Sequence, residues 1–538
     1  MLASLRGQTF TDAKSLIAFH DALLFLRAFP QSRKVVILTE ALLGGVGQQV
    51  AKLRESGTDL DLFDSEEFSG IAGTEIRDTF TYEVARWLAS NCTRDLRVEW
   101  DPEEQYKQVW SSLPRYVPLL ADDCLVEADT PYLEWLSSAA GGADRILTWL
   151  MQRLEQSPGS MLEKTAWYDA LKIDIGWELG DSAGSRTRAR HNPPDLYFHK
   201  APLIHRKQVS LEQELGSAPL AMRKLSRREG EQVMDLVRTV LTVRYRELYG
   251  TTRGDPTQVI EADLGRGVRI FLWGLPPGRG LPLRAYYAGL TVKNGVPINY
   301  IEGIGLFKWM EVGFNTFYAF REGETAWIYA KVLHLLNQLA GITCFSVYPY
   351  QIGQDNEEAI KSGAFWFYRK LGFRPGKPEL LALTEREEAR IAKTPGYRTS
   401  ARTLRKLAAE HVFYETGDGP RGLWDRFATR NIGFAVERRM AEKFKGDPGR
   451  MRAAAVAGLT RELGTDLRKW TPLEQSAFAD FALVLALVPE VKGWSSRERE
   501  RLAEIIRAKV GASEAEYLRL TQGHGRLKQV MLQLGSVE

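Results

Sequence analysis

The chain has 538 residues, which is more than one hydrophobic core supports, so three or four domains are expected. A hydrophobic content of 44% with 26% charged residues is ordinary for a folded, soluble protein and excludes a low-complexity or fibrous chain. The formal net charge of +4 is too small to indicate a nucleic-acid partner, and we expect none.

The cysteines and the apolar runs bear on the compartment. Cys92, Cys124 and Cys344 lie far apart in sequence, which fits neither a disulfide framework nor a zinc ligand set. They are expected to be free thiols in a reducing compartment. The longest apolar run, residues 481–489, is far short of the roughly 20 residues of a spanning helix, and the N-terminus resembles no secretory signal. We therefore expect a cytoplasmic protein without a membrane span.

Residues 1–205 predict a mainly helical N-terminal domain. Its first amphipathic helix has apolar residues three or four positions apart and ends at Pro30: Leu16, Phe19, Leu23 and Leu26. The basic segment 185–194 has the composition of a linker or exposed loop. Three histidines near it fit no helical or hairpin ligand pair, so no metal site is predicted: His191, His199 and His205.

Residues 215–388 predict a second domain that mixes strands and helices. A strand (LAMRKLS) precedes a long helix that opens at Ser226, and five strand-like runs follow between 258 and 320. The pair Asn294-Gly295 between two of these runs is a strong hairpin signal. The segment continues with a helix at 323–341, a buried strand at 342–350, a helix at 357–372 and a final strand in PELLALT. Residues 395–538 predict a C-terminal helical domain with basic, amphipathic helices.

The stretch AFWFYRKLGF near the end of the second domain carries the most specific pattern in the chain. An alanine, an aromatic residue, a tyrosine and Gly-Phe follow one another as Ala364, Phe367, Tyr368, Gly372 and Phe373. Together with the order of elements over 215–388, this pattern resembles the GNAT superfamily of acyl-CoA-dependent N-acyltransferases. The resemblance covers about a third of the chain. It implies a mixed central sheet with helices on both faces, and an overall α/β (α+β) fold flanked by helical domains.

The resemblance also implies a reaction and a role for Tyr368. Attack of an amine on a thioester needs a neutral amine, a stabilised oxyanion and a proton for the leaving thiolate. Tyr368 stands where the family places the proton donor, and the alternative is that its ring only packs on the sheet. The carboxylates in the strands are candidates for the base: Glu311 first, then Glu302. Structural pairing of these carboxylates with Arg284 or Lys308 is the alternative.

A phosphate-binding loop at the start of the following helix is the second feature that the family implies. Its pattern, [QR]-x-x-G-x-[GA], meets Arg321, Gly323, Glu324, Thr325 and Ala326 here. The end positions match, but Glu324 stands where the pattern has its central glycine, and the glycine comes one residue earlier. A carboxylate beside a pyrophosphate is repelled, and a side chain obstructs close approach of the backbone.

This departure leaves two acyl donors and two functions open. The donor is acetyl-CoA or another acyl-CoA, or else an acyl carrier protein, whose phosphopantetheine lacks the nucleotide pyrophosphate and whose acidic surface suits basic flanking helices. The acceptor is a small-molecule or peptide amine. The alternative function is a GNAT-like domain without catalysis that serves as a binding or scaffold module.

Overall fold

The structure is a computed structural model that describes residues 2–5, 7–92, 95–99, 116, 132–180, 183–417 and 421–536. Its contacts divide the chain into two compact units. The first comprises 1–200, 231–253 and 293–297, and the second comprises 201–230, 254–292 and 298–538. The predicted division at 205, 215, 388 and 395 stays a prediction. Cys92 and Cys344 are free thiols, and Cys124 lies outside the described residues.

The first unit begins with seven described helices. α1 starts after Asp12, whose carboxylate accepts the Ser15 N–H, and ends before Pro30 as predicted. The helices are α1 (Ala13–Ala28), α2 (Arg33–Leu43), α3 (Val46–Glu55), α4 (Tyr82–Asn91), α5 (Tyr132–Ala140), α6 (Ile146–Gln156) and α7 (Met161–Asp169).

A three-stranded antiparallel sheet, absent from the prediction, accompanies these helices. Its strands are β1 (Glu75–Asp78), β2 (Leu96–Glu99) and β3 (Asp174–Glu178), in the order β1-β3-β2. Ile175 and Trp177 of β3 are buried with Tyr82, Leu88 and Leu150 in one core. The predicted mainly helical region therefore packs part of its core on a sheet.

A two-residue turn at 294–295 connects two long strands, β7 (Ala285–Lys293) and β8 (Val296–Leu306), as predicted. Asn294 and Gly295 have φ values of 49° and 81°, the left-handed backbone that a two-residue hairpin turn requires. The Asn294 amide donates to the carbonyls of Ala28 at 2.9 Å and Tyr197 at 3.0 Å, and its oxygen accepts the Tyr197 N–H at 2.8 Å. These bonds hold the turn within the first unit.

A nine-stranded mixed sheet forms the centre of the second unit, in the order β11-β12-β10-β9-β8-β7-β6-β5-β4. Besides β7 and β8, its strands are β4 (Ala221–Lys224), β5 (Ile260–Gly265), β6 (Val268–Trp273), β9 (Trp309–Thr316), β10 (Cys344–Val347), β11 (Arg374–Pro375) and β12 (Val412–Glu415). Pairs β4-β5, β5-β6 and β8-β9 are antiparallel, β9-β10 is parallel, and β12 lies antiparallel between β10 and β11. The chain thus folds as a mixed α/β structure with a large sheet and flanking helices.

Helices accompany this sheet along the chain. Before β9 the second unit has α8 (Leu211–Leu215) and the start of α9 (Arg227–Thr242), whereas the rest of α9, from 231 on, and α10 (Tyr249–Thr252) belong to the first unit. Between β9 and β12 they are α11 (Thr325–Ala340), α12 (Pro349–Ile352), α13 (Glu357–Ser362), α14 (Ala364–Arg369), α15 (Pro378–Lys393) and α16 (Ala401–Leu407). Six further helices complete the second unit: α17 (Thr429–Phe444), α18 (Pro448–Leu463), α19 (Pro472–Leu485), α20 (Ser496–Ala508), α21 (Glu514–Gln522) and α22 (Gly525–Gly535).

Three sequence predictions in this unit are wrong. PELLALT opens helix α15 instead of forming a strand, because Pro378 occupies the first helical position and cannot continue a sheet ladder. The helix predicted over 357–372 is broken at Gly363, which has a left-handed φ of 68° between α13 and α14. The region after 395, predicted to be helical, contributes β12 to the sheet.

Candidate functional site

The candidate site lies where β9 and β10 separate. The two strands pair in parallel through three positions, Trp309 with Cys344, Met310 with Phe345 and Glu311 with Ser346. β9 continues to Thr316 in register with β8, whereas β10 ends at Val347. The second half of β9 therefore has one edge that carries no strand, and this edge forms a gap in the sheet.

Tyr368 lies on one face of this gap. Helix α14 buries its ring among aromatic residues, with ring centroids 5.6 Å from Tyr329 of α11 and 5.7 Å from Phe373. Phe314 of β9 packs on the same Tyr329 at 4.8 Å. Gly372 closes the segment with a φ of 102°, which explains a glycine at that position of the motif. The predicted motif thus positions Tyr368 through packing on the sheet.

Gln351 of α12 occupies the gap itself. Its Oε1 accepts the Phe314 N–H of the open strand edge at 3.3 Å and the Tyr368 hydroxyl at 3.4 Å. The second distance is too long for a good hydrogen bond between oxygens, so the Tyr368 hydroxyl is only weakly satisfied. A Cβ on Gly313 would lie 2.8 Å from Gln351 Nε2, so the glycine makes room for this amide. Burial raises the pKa of Tyr368 well above its ordinary value of 10.

The two predicted carboxylates lie on the opposite face of the sheet. Glu302 pairs in register with Gly313, and strand alternation places Gly313 and Glu311 on the face away from Phe314. The Tyr286 hydroxyl donates to the Glu302 carboxylate. Burial raises the pKa of Glu302, and the bond from Tyr286 partly offsets that effect.

Glu311 has a partner that the sequence did not indicate. Its carboxylate Oε2 lies 2.8 Å from Nε2 of His411, and both side chains are only partly exposed. A carboxylate hydrogen-bonded to an imidazole can take a proton from an amine and share the resulting positive charge. The predicted pairing with Lys308 does not form, and Arg284 interacts with Glu311 only through its charge.

The predicted phosphate loop is tied to its surroundings. Glu324 is fully buried, and its carboxylate accepts the Ile204 N–H at 3.1 Å and the Arg266 guanidinium, with Nε 3.2 Å from Oε2. Arg321 stacks on Tyr318 with its guanidinium carbon 3.8 Å from the ring centroid, and pairs with Glu358 of α13. The carboxylate that the sequence placed beside a pyrophosphate therefore points inward and is neutralised by Arg266.

The other residues of the predicted phosphate loop make fewer contacts. Thr325 begins α11, and its hydroxyl donates to the Arg321 carbonyl at 3.3 Å, while Ala326 is buried against the unit. Gly323 is half-buried and donates its N–H to the Phe320 carbonyl at 2.9 Å. The donors that remain for an anion are the first N–H groups of α11 and, if its pair with Glu358 opens, Arg321.

Comparison with known proteins assigns no family: no family model, curated protein or solved structure matches this chain. Within the part of the chain that the structure describes, no group of histidine, cysteine, aspartate or glutamate residues has the arrangement of a metal site. In the same residues, no helix combines the length and the apolar character of a membrane-spanning segment. Only the geometry of its residues therefore supports the candidate site.

Sequence reasoning missed three residues of the site. His411 lies 100 positions from Glu311 and begins HVFYE, a stretch with the alternating pattern of a strand in a region predicted to be helical. Gln351 lies in α12, four positions after β10 ends at Val347, and polar residues beyond the ends of parallel strands are a known signal for sites. Arg266 gives no sequence signal, since only the fold brings it to Glu324.

Proposed function

We propose that this protein transfers an acyl group from a thioester donor to an amine at the gap between β9 and β10. The observation that carries the proposal is the parallel strand pair that opens after Glu311 and Ser346, with Tyr368 on one face and the Glu302 and Glu311 carboxylates on the other. A thioester between the strands can take the hydrogen bond from Phe314 N–H that Gln351 now accepts. That bond would polarise the carbonyl and stabilise the oxyanion.

The proposed roles follow from the electrostatics of each group. Glu311, with His411 behind it, takes the proton of the attacking amine. The amine nitrogen then bonds to the acyl carbon, and the carbon–sulfur bond breaks with its electron pair on sulfur. Because burial raises the pKa of Tyr368 far above that of a thiol near 8.5, full transfer of its proton to the thiolate is uphill. Tyr368 instead donates a hydrogen bond to the developing thiolate, which then takes a proton from solvent, while Glu311 and His411 release the proton of the amine to solvent.

The donor is either an acyl-CoA or an acyl carrier protein. The inward carboxylate of Glu324 removes the direct repulsion of a pyrophosphate, because Arg266 balances its charge. The carrier protein remains a candidate because α17 carries a cluster of basic residues without ion pairs among the described residues: Arg430, Arg438, Arg439 and Lys443. An acidic carrier protein would dock on such a surface.

The test combines donor binding with thiol release. Acetyl-CoA, a long-chain acyl-CoA and an acyl carrier protein are titrated separately, and thiol release is then followed over a panel of amines. Tyr368→Phe is expected to keep donor affinity and lower the rate by roughly 10²-fold or more. Tyr168→Phe is the control, because Tyr168 is also a buried tyrosine, and its hydroxyl has no hydrogen-bond partner among the described residues. Equal rates for both variants would contradict the role of Tyr368.

A binding or scaffold module without catalysis is the second candidate. Gln351 occupies the gap, and Arg321, which could contact a phosphate of the donor, is paired with Glu358. Both contacts favour a module that binds no thioester. This function predicts no thermal shift with any thioester and no thiol release with any amine.

A further inference from the structure

A cavity in the second unit lies outside the groups used above. It has a volume of about 390 Å³, within the range of roughly 300 to 1,000 Å³ that is typical of small-molecule sites. The segment 281–284 before β7 forms one wall, and helices α17 and α19 form the others. Most of its lining is apolar: Leu281, Leu283, Ile432, Val436, Leu483 and Val484.

Arg284 is one of four charged residues in this lining, with Glu437, Arg452 and Asp480. Its side chain is half-buried, and within the described residues it makes no hydrogen bond or ion pair. Burial lowers the pKa of its guanidinium, and the only charge that opposes this effect is the Glu311 carboxylate, which already bonds His411. A partly desolvated guanidinium without hydrogen-bond acceptors is costly, and an anionic ligand would relieve that cost.

The other charged groups of the cavity lining do not pair with Arg284. Arg452 is paired with Asp480 at 3.0 Å, so its charge is already balanced. Glu437 also lines the cavity, but it is exposed on α17, where solvent screens its repulsion of an anion. Among the described lining residues, Arg284 is therefore the one positive charge without an ion-pair partner, in a cavity whose lining is mostly apolar.

The walls of the cavity are held in place by neighbouring elements. The Tyr517 hydroxyl donates to the Leu283 carbonyl at 2.5 Å, and Ala285 begins the buried strand β7 directly after Arg284. On α17 the lining residues Thr429, Ile432, Gly433 and Val436 recur at helical spacing. A Cβ on Gly433 would meet no atom within 4 Å, so this glycine leaves space at the wall.

We propose that this cavity binds a small monocarboxylate with an apolar body, whose carboxylate pairs with Arg284. The planar guanidinium matches a carboxylate through two parallel hydrogen bonds, and the apolar walls take up the rest of the molecule. One free guanidinium balances one negative charge, whereas a phosphate dianion would need a second cation. The proposal is independent of the acyltransferase function, because it concerns ligand binding and needs no thiol release.

Calorimetric titration of the full chain with matched probes tests the charge requirement. Octanoate is expected to bind, and 1-octanol and octylamine, which share its apolar body, are expected to bind at least tenfold more weakly. Arg284→Gln should lower octanoate affinity by about tenfold or more, as expected for a charge-assisted hydrogen bond, and leave the affinity for octanol unchanged. The double variant Arg452→Gln/Asp480→Asn should change octanoate affinity less than twofold, because it removes two charges of the lining that already balance each other.

A second variant keeps the test decisive if Arg284→Gln fails to fold. Gly433→Leu keeps Arg284 and places a side chain into the cavity, so it should abolish octanoate binding. Gly458→Leu is its matched control: Gly458 is also a helical glycine with open space at its Cβ, and it lies on α18 outside the cavity lining. The proposal is overturned if octanol binds as tightly as octanoate, if Gly433→Leu binds octanoate like the wild type, or if octanoate does not bind at about 10 mM.

Discussion

Replacement of Glu324 by alanine tests whether this residue belongs to the structure of its loop or to a ligand site. Its carboxylate is fully buried and accepts the Ile204 N–H and the Arg266 guanidinium. Alanine would remove the acceptor of that N–H and the carboxylate that pairs with Arg266. Arg266 also has a left-handed backbone with φ of 54°, which its pairing with Glu324 helps to hold.

The expected loss of stability follows from the burial of the two partners. Breaking a fully buried ion pair costs about 3 to 5 kcal/mol. The Arg266 side chain is 23% exposed and can turn toward water, which reduces that cost. Loss of the Ile204 hydrogen bond adds about 1 kcal/mol. We therefore expect Glu324→Ala to lower the free energy of unfolding by about 3 kcal/mol.

Urea unfolding of the full chain, followed by tryptophan fluorescence, measures this loss. Two compact units can unfold in separate transitions, so the transition of the second unit must be identified first, for example with the hairpin variant described below. Its midpoint should fall by on the order of 1 M urea. Glu322→Ala is the control, because Glu322 is an exposed neighbour, and it should change stability by less than about 0.5 kcal/mol. Equal midpoints for both variants would refute the structural role of Glu324.

Three further predictions concern other parts of the chain. Asn294→Ala should lower the free energy of unfolding of the first unit by about 2 to 4 kcal/mol, since one buried and two partly buried hydrogen bonds are lost, and only the urea transition of the first unit should shift; a shift in both transitions would contradict this. Gly363→Ala should lower the free energy of unfolding by about 1 to 2 kcal/mol because of its left-handed φ of 68°, since its Cβ would meet no atom and so adds no clash. Gly433→Ala, in a helix, should leave the stability unchanged or raise it in the same urea assay. Burial raises the pKa of Glu302 above 4.5, so the native state holds this proton to higher pH than the unfolded state, and the wild type loses stability as pH rises through the folded pKa. The stability of Glu302→Gln relative to wild type should therefore increase between pH 4 and pH 7, and a constant difference between their urea midpoints would argue against a buried carboxyl.

Local signals made the order of strands and helices in the central sheet predictable. Asn294-Gly295 has the backbone that the dipeptide implied, and Gly341 ends α11 in the left-handed region with φ of 67°. The strands β7, β8 and β9 are long, and β7 is buried throughout, so their apolar and aromatic content can be recognised in the sequence. The same segment order is what made the resemblance to acyltransferases visible.

The elements that escaped prediction are short or depend on distant partners. β1, β2 and β3 have four or five residues each, too few for an alternating pattern to stand out from helical spacing. β12 pairs with β10, which lies far earlier in the chain, and it is surrounded by arginine-rich helices. In PELLALT the apolar residues were counted, but the proline at the first helical position and Glu379 in the first turn carried the better signal.

The site was predictable only to the level of single residues. Tyr368, Glu302 and Glu311 came from residue type and strand alternation, and the structure places them around one gap on two faces of the sheet. His411 and Gln351 depend on how chain segments meet, which no local pattern encodes. A single sequence therefore indicates which side chains are unusual, and the fold decides which of them meet.

The contacts around the gap differ in strength, and this difference indicates which side chains a donor can displace and which it cannot. Gln351 is held by bonds of 3.3 and 3.4 Å, at the outer limit for hydrogen bonds, so displacing its amide costs about 1 kcal/mol or less per bond. A thioester carbonyl that accepts the Phe314 N–H would recover that energy. Glu324, by contrast, is fixed by a buried charge pair, so the loop does not rearrange at the same cost. Under the proposed function, this difference favours a donor that enters past Gln351 and makes few contacts with the loop, and a phosphopantetheine arm without a nucleotide meets that requirement better than an acyl-CoA does.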